Sequence, residues 1–496
     1  MDHFDVIIVG AGLSGIGAAR QLQDKCPGKT FILLEARDAI GGTWDLFRYP
    51  GIRSDSDMYT MGYDSKPWLE PKAIADGPSI LSYVQEAARE RGIDKLIRFG
   101  HRMKTASWSS SDARWTVDCE RDGARVSVSC NVLLVCSGYY NYAHGHTPAF
   151  PGSDDFSGRI VHPQHWPEGL DYSGKRVVII GSGATAMTLV PALARQAAKV
   201  TMLQRSPTYV VSLPAKDPIA TFLRALLPEQ LAYRLTRAKN VWFQRYIYQQ
   251  TRKQPQKMRE RLINMVRKQL GPNFDVARHF TPTYMPWDQR LCLVPDADLF
   301  KALRAGKADI ATDEIECFTA GGIKLKSGAE LPADIIVTAT GLDMEVLGGA
   351  SFSVDGRAVS FPDTFSYKGM MFSDVPNLIY TLGYINASWT LRSELVAEYV
   401  CRLVNRMAEL GTAICTPRLR PSDRTMTPRP MIEDFSPGYM RRALHLFPKQ
   451  GDRDPWRNTQ NYTLDKQTIR EAPLEDGVLE FAKAGAAHDA GQRSAA

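Results

Sequence analysis

The sequence has no apolar run that approaches the roughly 18 residues needed to span a bilayer as a helix. Its first residues are acidic and run into a short apolar segment, which is unlike a secretory leader. The eight cysteines are scattered, and no two of them form a C-x-x-C pair. These absences speak against a membrane-spanning protein and a disulfide-stapled scaffold, and we expect a cytoplasmic protein.

Metal-ligand spacing is also missing. The nine histidines do not recur beside cysteines or carboxylates at the intervals typical of a metal site, so we expect no metal. Hydrophobic residues make up 44% of the chain and charged residues 23%, which excludes a wholly disordered protein. A length of 496 residues predicts about two to four domains.

The net charge of +7 is concentrated in one segment. Residues 234–268 contain eleven basic residues and a single acidic one, Glu260, so the segment carries +10 and the remainder of the chain −3. A charge this local does not indicate a nucleic-acid-binding surface, and no nucleic-acid-binding module is recognisable. We therefore expect no nucleic-acid partner.

The stretch from Ile219 to Leu270 is helix-like and mixes these cations with apolar side chains. A basic amphipathic helix can lie on an anionic membrane surface, which would give peripheral membrane contact. The alternative is a helical hairpin that covers the active site with its cations facing water. We favour the hairpin, because cations alone do not demonstrate an exposed apolar face.

The N-terminal residues follow the pattern of a dinucleotide-binding unit. A short apolar strand at Asp5–Val9 is followed by a G-x-G-x-x-G turn (Gly10, Gly12, Gly15), a helical pattern and a second strand that ends at Glu35. The first glycine permits a tight turn, the second lets the backbone approach a pyrophosphate, and the third lets helix and strand pack closely. A carboxylate at the end of the second strand accepts hydrogen bonds from ribose hydroxyls.

A second unit of the same kind carries Gly181, Gly183 and Ala186 after its first strand. Its second strand ends in Gln204 and Arg205 instead of an acid. A guanidinium binds a 2′-phosphate that a carboxylate would repel, so this unit is predicted to prefer NADPH to NADH. The alternative is that Arg205 is a solvated surface residue.

Two such units, one with glutamate and one with arginine, imply FAD and NADPH as cofactors. Flavin disulfide reductases share this layout but need a close redox-active cysteine pair, which this sequence lacks. The predicted fold class is α/β, with two Rossmann-like dinucleotide-binding domains, the second inserted into the first, and a helical insert. The predicted boundaries are 1–147 (FAD domain, first part), 148–212 (NADPH domain, first part), 213–279 (basic helical insert), 280–331 (NADPH domain, second part), 332–482 (FAD domain, second part) and 483–496 (disordered tail).

Between the two units lies the pattern F-x-G-x-x-x-H-x-x-x-W-P, formed by Phe156, Gly158, His162, Trp166 and Pro167. It resembles the fingerprint of type I Baeyer–Villiger monooxygenases. Related N- and S-oxygenating flavin monooxygenases usually carry Tyr or Phe at the position of the tryptophan. A second motif of the family is met by Gly41, Gly42, Trp44, Tyr49, Pro50, Gly51 and Asp55. The resemblance extends over nearly the whole chain and is strongest to the ethionamide-activating subgroup.

The resemblance implies a role for each residue at a matching position. For FAD these residues are Gly10, Gly12, Ser14, Gly15 and Glu35 at the diphosphate and ribose, Thr43, Trp44, Asp45 and Leu46 along the flavin, and Met103 at the adenine. For NADP they are Arg53, Ser54 and Asp55 at the nicotinamide end, and Gly181, Ser182, Gly183, Ala184, Thr185, Ala186, Gln204 and Arg205 at the phosphates and adenosine. Many members carry Lys where this chain has Gln289, which places more of the NADPH preference on Arg205.

The implied reaction inserts one oxygen atom of O₂ beside a ketone carbonyl to give an ester or lactone. Arg290 matches the active-site arginine of the family. A guanidinium is always charged and can stabilise both an anionic flavin peroxide and the oxyanion formed after its attack on the carbonyl carbon. Asp55 can orient that arginine through a bidentate pair. We therefore expect Arg290 and Asp55 to be catalytic, and ketones, with thioethers as further substrates, to be oxidised.

Water must be kept away from such a peroxide. Trp44, Tyr49, Trp287 and Trp389 are candidate walls of the site, although an aromatic residue is more often plain core. His162 is a candidate general base, but we favour a role in fixing the geometry of the loop between the domains. Two other functions stay open, namely an N- or S-oxygenating flavin monooxygenase and, outside enzymes, a flavin-binding redox sensor.

Overall fold

The computed structural model describes residues 1–289, 291–433 and 437–485, so most of the predicted disordered tail lies outside the described residues. Two sheets organise the fold. The first sheet has nine strands, which are Arg357–Ala358, Ser351–Val354, Arg102–Ser109, Arg114–Arg121, Ala124–Val135, His3–Val9, Phe31–Leu34 and Ile97–Arg98 in spatial order, with Leu378–Tyr380 paired to Ala124–Val135. The second sheet is parallel throughout, in the order Ala308–Thr312, Lys199–Gln204, Arg176–Ile180, Ile335–Thr338 and Arg159–Val161.

Helices cover these sheets. The longer ones are Leu13–Lys25, Gly77–Arg89, Ala184–Leu193, Pro218–Leu226, Glu229–Lys253, Pro255–Leu270, Asp298–Arg304 and Trp389–Leu410. Short helices span Thr43–Leu46, Met58–Met61, Val276–His279, Gly438–Ala443 and Tyr462–Asp465. Smaller two-stranded sheets pair Tyr140–Gly145 with Leu342–Met344, Val210–Leu213 with Cys292–Pro295, Ser366–Tyr367 with Met371–Phe372, Ile414–Pro417 with Leu479–Ala482 and Arg429–Pro430 with Lys449–Gln450. A three-stranded sheet consists of Ile315–Thr319, Gly322–Leu325 and Glu330–Pro332. The predicted α/β class, with one domain inserted into the other, is confirmed.

The first strand shows why its sequence is so apolar. His3–Val9 pairs in parallel with both Phe31–Leu34 and Ala124–Val135, so it occupies a central position in the first sheet. A parallel strand covered on both faces reads as a continuous apolar run, and residues 6–9 are all buried. Residues 132–135 are the buried end of the longer strand Ala124–Val135, whose other half forms an antiparallel hairpin with Arg114–Arg121.

One predicted domain boundary is wrong. The sequence pattern predicts the return to the first domain at residue 332, yet Ile335–Thr338 pairs with Arg159–Val161 and Arg176–Ile180 in the second sheet. The return comes after Thr338, where Leu342–Met344 pairs with Tyr140–Gly145. Buried parallel strands of the two sheets have the same apolar composition, so composition alone could not assign this strand to its sheet.

A loop of the first domain crosses to the second. Phe47 and Tyr49 follow the short helix Thr43–Leu46, and both side chains are buried in the core that surrounds the second sheet. Gly51 has a φ of +79° and lies against the helix Ala184–Leu193, where an added Cβ would be 2.7 Å from Ala192. The loop is therefore packed into the inserted domain immediately before the predicted site residues 53–55.

The basic insert is helical, as predicted. Its long helix Glu229–Lys253 is anchored by buried polar contacts, in which Arg237 donates to the carbonyl oxygens of Tyr59 and Gly62 and pairs with Glu394 at 2.6 Å. Within the described residues, no helix is both long enough and apolar enough to cross a membrane.

The same helix also holds a carboxylate of the first domain. Asn240 and Gln244 donate to the two carboxylate oxygens of Asp57 at 2.8 and 2.7 Å. Burial raises the pKa of Asp57 above its ordinary value, although these hydrogen bonds oppose the shift. The insert is thus fixed to the segment that directly follows the predicted site residues 53–55.

His162 lies at the junction of the two domains. Its Nε2 is 3.2 Å from the carbonyl oxygen of Gly341, and its Nδ1 accepts from the backbone N–H of Gln164 at 3.2 Å. This combination requires a neutral ring with its proton on Nε2. Burial lowers the pKa of His162, in keeping with a neutral ring. The geometry supports the interpretation of His162 as a residue that fixes the interdomain connection.

The fingerprint glycine Gly158 has no room for a side chain. An added Cβ would lie 2.4 Å from the Asp334 carbonyl oxygen and 2.5 Å from the ring of Phe156. We expect Gly158→Ala to lower the free energy of unfolding by about 1–3 kcal/mol through overpacking. Gly321→Ala, where nothing lies within 4 Å of the added Cβ, is the matched control and should change it by less than about 0.5 kcal/mol. Urea unfolding measures both, and equal losses in the two variants would contradict the packing role.

His162 should make stability depend on pH. Above pH of about 6.5 the ring is neutral in both folded and unfolded chains, so its contribution is complete. As the pH falls below that value, the unfolded chain binds a proton that the folded chain resists, because the folded pKa is lowered, and stability is lost. The melting temperature of His162→Asn should therefore fall less steeply between about pH 6.5 and 5. The control is His445→Asn at an exposed ring, which should keep the original slope; identical slopes for all three proteins would refute the prediction.

Candidate active site

A cavity of about 880 Å³ lies where the carboxyl ends of both sheets meet. Its volume is within the range of roughly 300–1,000 Å³ typical of small-molecule sites. Fifteen of the residues predicted to bind cofactors line it, namely Gly10, Gly12, Ser14, Glu35, Thr43, Trp44, Leu46, Arg53, Ser54, Asp55, Met103, Ser182, Gly183, Ala184 and Thr185. The structure thus brings the two halves of the predicted site together in one space.

The first glycine turn has the geometry that its sequence predicts. Gly10 has a φ of +106°, and its N–H donates to the carbonyl oxygen of Leu34 at 2.8 Å. Gly15 lies behind the turn, where an added Cβ would be 1.9 Å from the Gly10 carbonyl oxygen. The helix that begins at Leu13 has Gly12 as its N-cap and no side-chain cap. Its first backbone N–H groups are therefore available to an anion at the cavity wall.

The second turn repeats this arrangement. Gly181 has a φ of +135°, and its N–H donates to the carbonyl oxygen of Leu203 at 2.8 Å. The following helix has Gly183 as its N-cap, again without a side-chain cap. Ala186 is fully buried in the core and takes the place of the third glycine. Two helix N-termini with the same local geometry therefore face one cavity.

The backbone holds Glu35 at the cavity wall. Its Oε2 accepts from the N–H of Ala11 at 2.7 Å and its Oε1 from the N–H of Arg37 at 2.9 Å. Burial raises the pKa of Glu35, against the lowering effect of these hydrogen bonds. The carboxylate consequently has a fixed position at the end of its strand, where the dinucleotide pattern places a ribose.

Arg53 lines the same cavity as the two turns. Its Nη1 donates to the Asp298 carboxylate at 2.5 Å, whereas its Nη2 is buried with no hydrogen-bond partner among the described residues. Buried guanidinium N–H groups are nearly always paired, so an unsatisfied one in a residue that lines a cavity fits a ligand with an acceptor oxygen. Ser54, which follows it, is also buried and lines the cavity.

Asp55 and Gln289 both line the cavity. Arg290, the predicted catalytic arginine, lies outside the described residues. The predicted pairing of Arg290 with Asp55 therefore stays a prediction.

Asp45 does not lie along the cavity with its neighbours Thr43, Trp44 and Leu46. Its buried carboxylate instead forms ion pairs with Arg37 at 2.6 Å and Arg48 at 3.1 Å. The residue sits in a single-turn helix, so its side chain leaves on a different side from those of its neighbours. Its place in the structure is that of an internal anchor for the turn.

The predicted NADPH-selecting residues lie away from the cavity wall. Gln204 is buried, and its amide nitrogen donates to the carbonyl oxygen of His279 and the hydroxyl of Thr312. Arg205 is exposed at the carboxyl end of Lys199–Gln204. This edge position is compatible with a 2′-phosphate, and the preference for NADPH stays a prediction.

Three of the four candidate walls line the cavity. These are Trp44, Tyr49 and Trp389, and the Trp389 indole N–H donates to the Ser14 hydroxyl at 2.7 Å. The fourth, Trp287, is absent from the described lining and packs edge-on against Tyr248 of the insert. A sequence does not show which of several aromatics turns toward a cavity, and for Trp287 the structure agrees with the interpretation as a packing residue.

A group of tyrosines at the cavity was not predicted from the sequence. Tyr139, Tyr140 and Tyr142 line the cavity, and the ring of Tyr139 stacks on Trp389 with centroids 5.2 Å apart. These residues follow the strand Ala124–Val135, next to the first strand in the sheet. Ligands of open α/β sheets bind beyond the carboxyl ends of the strands, and this rule could have identified them.

The fingerprint residues are mostly structural. Phe156 is buried against Phe318 in a small core beside the second sheet, and Trp166 packs at the edge of the larger core. His162 lines the cavity, whereas Trp166 and Pro167 are absent from its described lining.

The basic insert contributes nothing to the described wall of the cavity. No residue between 213 and 279 belongs to the described lining, so the structure gives no support to the favoured interpretation of this insert as an active-site cover. The insert packs instead beside the loop that follows residue 55, through Asp57 and Arg237.

Comparisons with known proteins agree with this architecture. The sequence model described as FMO-like, flavin-binding monooxygenase-like, matches residues 4–268. The chain is 54% identical over 483 residues to the FAD-containing monooxygenase EthA of Mycobacterium tuberculosis, covering 97% of this chain and 98% of that protein. It is also 54% identical over 487 residues to EthA of Mycolicibacterium smegmatis, covering 98% of each.

A solved structure of oxidized steroid monooxygenase bound to NADP superimposes with a TM-score of 0.78, covering 97% of this chain and all of the other. At 23% identity, this match is evidence for the fold. The family match covers more than half of the sequence, and the relatives cover nearly all of it. The chain belongs to the flavin-binding monooxygenase-like family.

Proposed function

We propose that this protein is an FAD- and NADPH-dependent monooxygenase that carries out Baeyer–Villiger oxidation of ketones to esters or lactones, and that also oxidises thioethers to sulfoxides. FAD is supported as a cofactor by relatives that contain it. NADPH is supported by the second glycine turn and by structural neighbours of the same fold that were solved with NADP. Small-molecule substrates and O₂ complete the set of reactants.

The observation that supports this proposal best is the convergence of two uncapped helix N-termini on one cavity. The helices begin after Gly12 and Gly183, and residues 53–55 line the same cavity. Each N-terminus can bind one pyrophosphate. An enzyme that must bring a hydride donor to a flavin needs both dinucleotides in a single space.

The residues present fit an FAD in the first half. Gly10, Gly12, Gly41 and Gly42 all line this half of the cavity, so backbone without side chains faces the space in which a pyrophosphate would lie. Glu35 would hold the ribose, and Thr43, Trp44 and Leu46 would lie along the ring system. The second half, from Ser182 to Thr185, would hold the phosphates of NADPH, and Arg53 its nicotinamide end.

Bound flavin, once reduced by NADPH, supplies the activation of O₂. The task of this chain is to hold the charge that develops on substrate oxygen. Arg290 would stabilise the oxyanion formed at the carbonyl, because its guanidinium is charged at every working pH. Asp55 would orient that arginine through its carboxylate. The aromatic walls Trp44, Tyr49 and Trp389 would limit the access of water.

Our proposal that ketones and not amines are the substrates rests on the sequence pattern. Trp166 is the residue that separates the Baeyer–Villiger fingerprint from that of N- and S-oxygenating relatives. Because it packs in the second domain away from the described cavity lining, it acts as a family marker and not as a substrate contact.

A product panel tests the proposal. The purified enzyme with NADPH and ¹⁸O₂ is given a cyclic ketone, a thioether and a tertiary amine, and products are identified by mass. A lactone carrying one ¹⁸O atom is expected. Amine oxidation with untouched ketone would indicate the N- or S-oxygenating alternative, and absence of NADPH-dependent O₂ consumption would indicate a flavin-binding sensor.

Replacing the arginine should uncouple the reaction. We expect Arg290→Ala to continue NADPH oxidation while ester formation falls by at least about 100-fold and hydrogen peroxide accumulates, since charge stabilisation of this kind is worth about 10²–10³ in rate. Arg304→Ala removes an exposed arginine elsewhere in the second domain and should behave as the unmodified enzyme. Ester formation that survives in Arg290→Ala would remove the assigned role.

Arg53 should contribute to the binding of NADPH and not to that of FAD. Loss of a charged hydrogen-bond donor weakens binding by about tenfold or more, so Arg53→Ala should raise the KM for NADPH by that factor with unchanged FAD content. Arg48→Ala is the control, because its side chain is 68% exposed and pairs only with Asp45 in the described residues. An unchanged KM, or loss of FAD instead, would contradict this assignment.

A further inference from the structure

The basic insert concentrates exposed apolar side chains. Among the described residues, fifteen large hydrophobic side chains are exposed, and ten of them fall between residues 213 and 265. These ten are Leu213, Ile219, Phe222, Leu226, Leu231, Leu235, Trp242, Phe243, Tyr246 and Met265. Scattered exposed apolar residues are normal, but their clustering in one segment marks an interaction surface.

The long insert helix presents part of this set as a stripe. At about 100° per residue, Leu231, Leu235, Trp242 and Tyr246 lie within an arc of about 60°. Each is between 44% and 64% exposed, and the rings of Trp242 and Tyr246 stack with centroids 5.5 Å apart. Tyr233, on the opposite side of the helix, is buried against the first domain. The stripe therefore faces away from the protein body.

The preceding helix, Pro218–Leu226, also exposes apolar side chains. Ile219, Phe222 and Leu226 follow each other at three- and four-residue intervals, which places them on one side of that helix. They are 51%, 62% and 64% exposed. We call these seven residues of the two helices the insert face.

Cations border the insert face. Arg234 and Arg245 lie next to the stripe on the long helix, about 40–60° from Leu231. Both arginines and Trp242 also line a groove of about 540 Å³. The full lining of this groove carries five cations, Arg234, Arg237, Arg245, Lys466 and Arg470, against three carboxylates, Asp64, Glu394 and Glu471. The surface beside the apolar stripe is thus positively charged.

The charge decides between possible occupants. A second copy of this chain placed face to face would bring the exposed Arg234 and Arg245 of both copies to one interface, which repels. An anionic lipid bilayer offers both an apolar layer for the stripe and a negative surface for the arginines. No described helix can span that bilayer, so the contact would be peripheral.

We propose that the insert face docks this protein on anionic lipid bilayers. The apolar side chains, led by Phe222 and Trp242, enter the boundary between headgroups and acyl chains. Arg234 and Arg245 lie at the level of the lipid phosphates. This docking is independent of the oxidation chemistry proposed above, because no insert residue lines the candidate active site.

Vesicle sedimentation tests the docking. The flavin-loaded full-length enzyme is mixed with vesicles of phosphatidylcholine alone, or with about one third phosphatidylglycerol. Binding is expected on the anionic vesicles, weak or absent on the neutral ones, and partly retained in high salt because the stripe contributes by apolar burial. Failure to bind anionic vesicles at low salt would overturn the proposal.

Matched variants identify the face. Phe222→Ser with Trp242→Ser should weaken vesicle affinity by about tenfold or more. Leu410→Ser with Leu446→Ser, at exposed apolar positions outside the insert, is the control and should leave it unchanged. Arg234→Gln and Arg245→Gln should each cost about fivefold on anionic vesicles. Equal loss in the control pair would overturn the proposal, as would a dimer, seen by light scattering, that the Phe222 and Trp242 changes abolish in an enzyme that ignores vesicles.

Discussion

The burial of Phe47 and Tyr49 in the inserted domain is the contact on which the candidate site depends. The two turns that can hold dinucleotides belong to different sheets, and neither sheet by itself determines how far apart they lie. The crossing loop fixes that distance, because it leaves the first domain at Leu46 and is packed into the second before Arg53. Aromatic side chains suit this position, since each removes a large apolar area from water. The oxidising chemistry thus depends on ordinary core packing.

Much of the fold could be predicted from the sequence because a few residue types, glycine above all, adopt characteristic backbone conformations. Gly10 and Gly181 adopt backbone conformations that side chains rarely permit, so their turns could be recognised directly. The strand Ile335–Thr338 could not be assigned to its sheet, since apolar composition does not specify a neighbour. The direction of individual side chains could not be predicted from the sequence either. Asp45 and Trp287 sit among predicted site residues, yet ion pairing and insert packing direct them elsewhere.

The insert shows what charge counting can and cannot establish. Its cations are visible in the sequence, but the side of the helix that they share with apolar residues depends on where the helix is anchored. That anchoring is polar and buried, through Arg237 on one side and Asp57 on the other. These contacts turn the helix so that Trp242 and Tyr246 face outward. A basic segment whose apolar side is packed against the protein would suit a cover, whereas this segment exposes its apolar side to solvent.

The order of the strands also governs how the chain assembles during synthesis. Every strand of the second sheet has been made once Thr338 is complete, whereas the first sheet still needs Leu378–Tyr380 beside Leu133–Val135. The inserted domain can therefore close while its host remains unfinished. During that interval the buried end of Ala124–Val135 is an unpaired apolar edge, the kind of edge that pairs wrongly with other chains. This apolar edge therefore stays open from the completion of the inserted domain until Leu378–Tyr380 has been made.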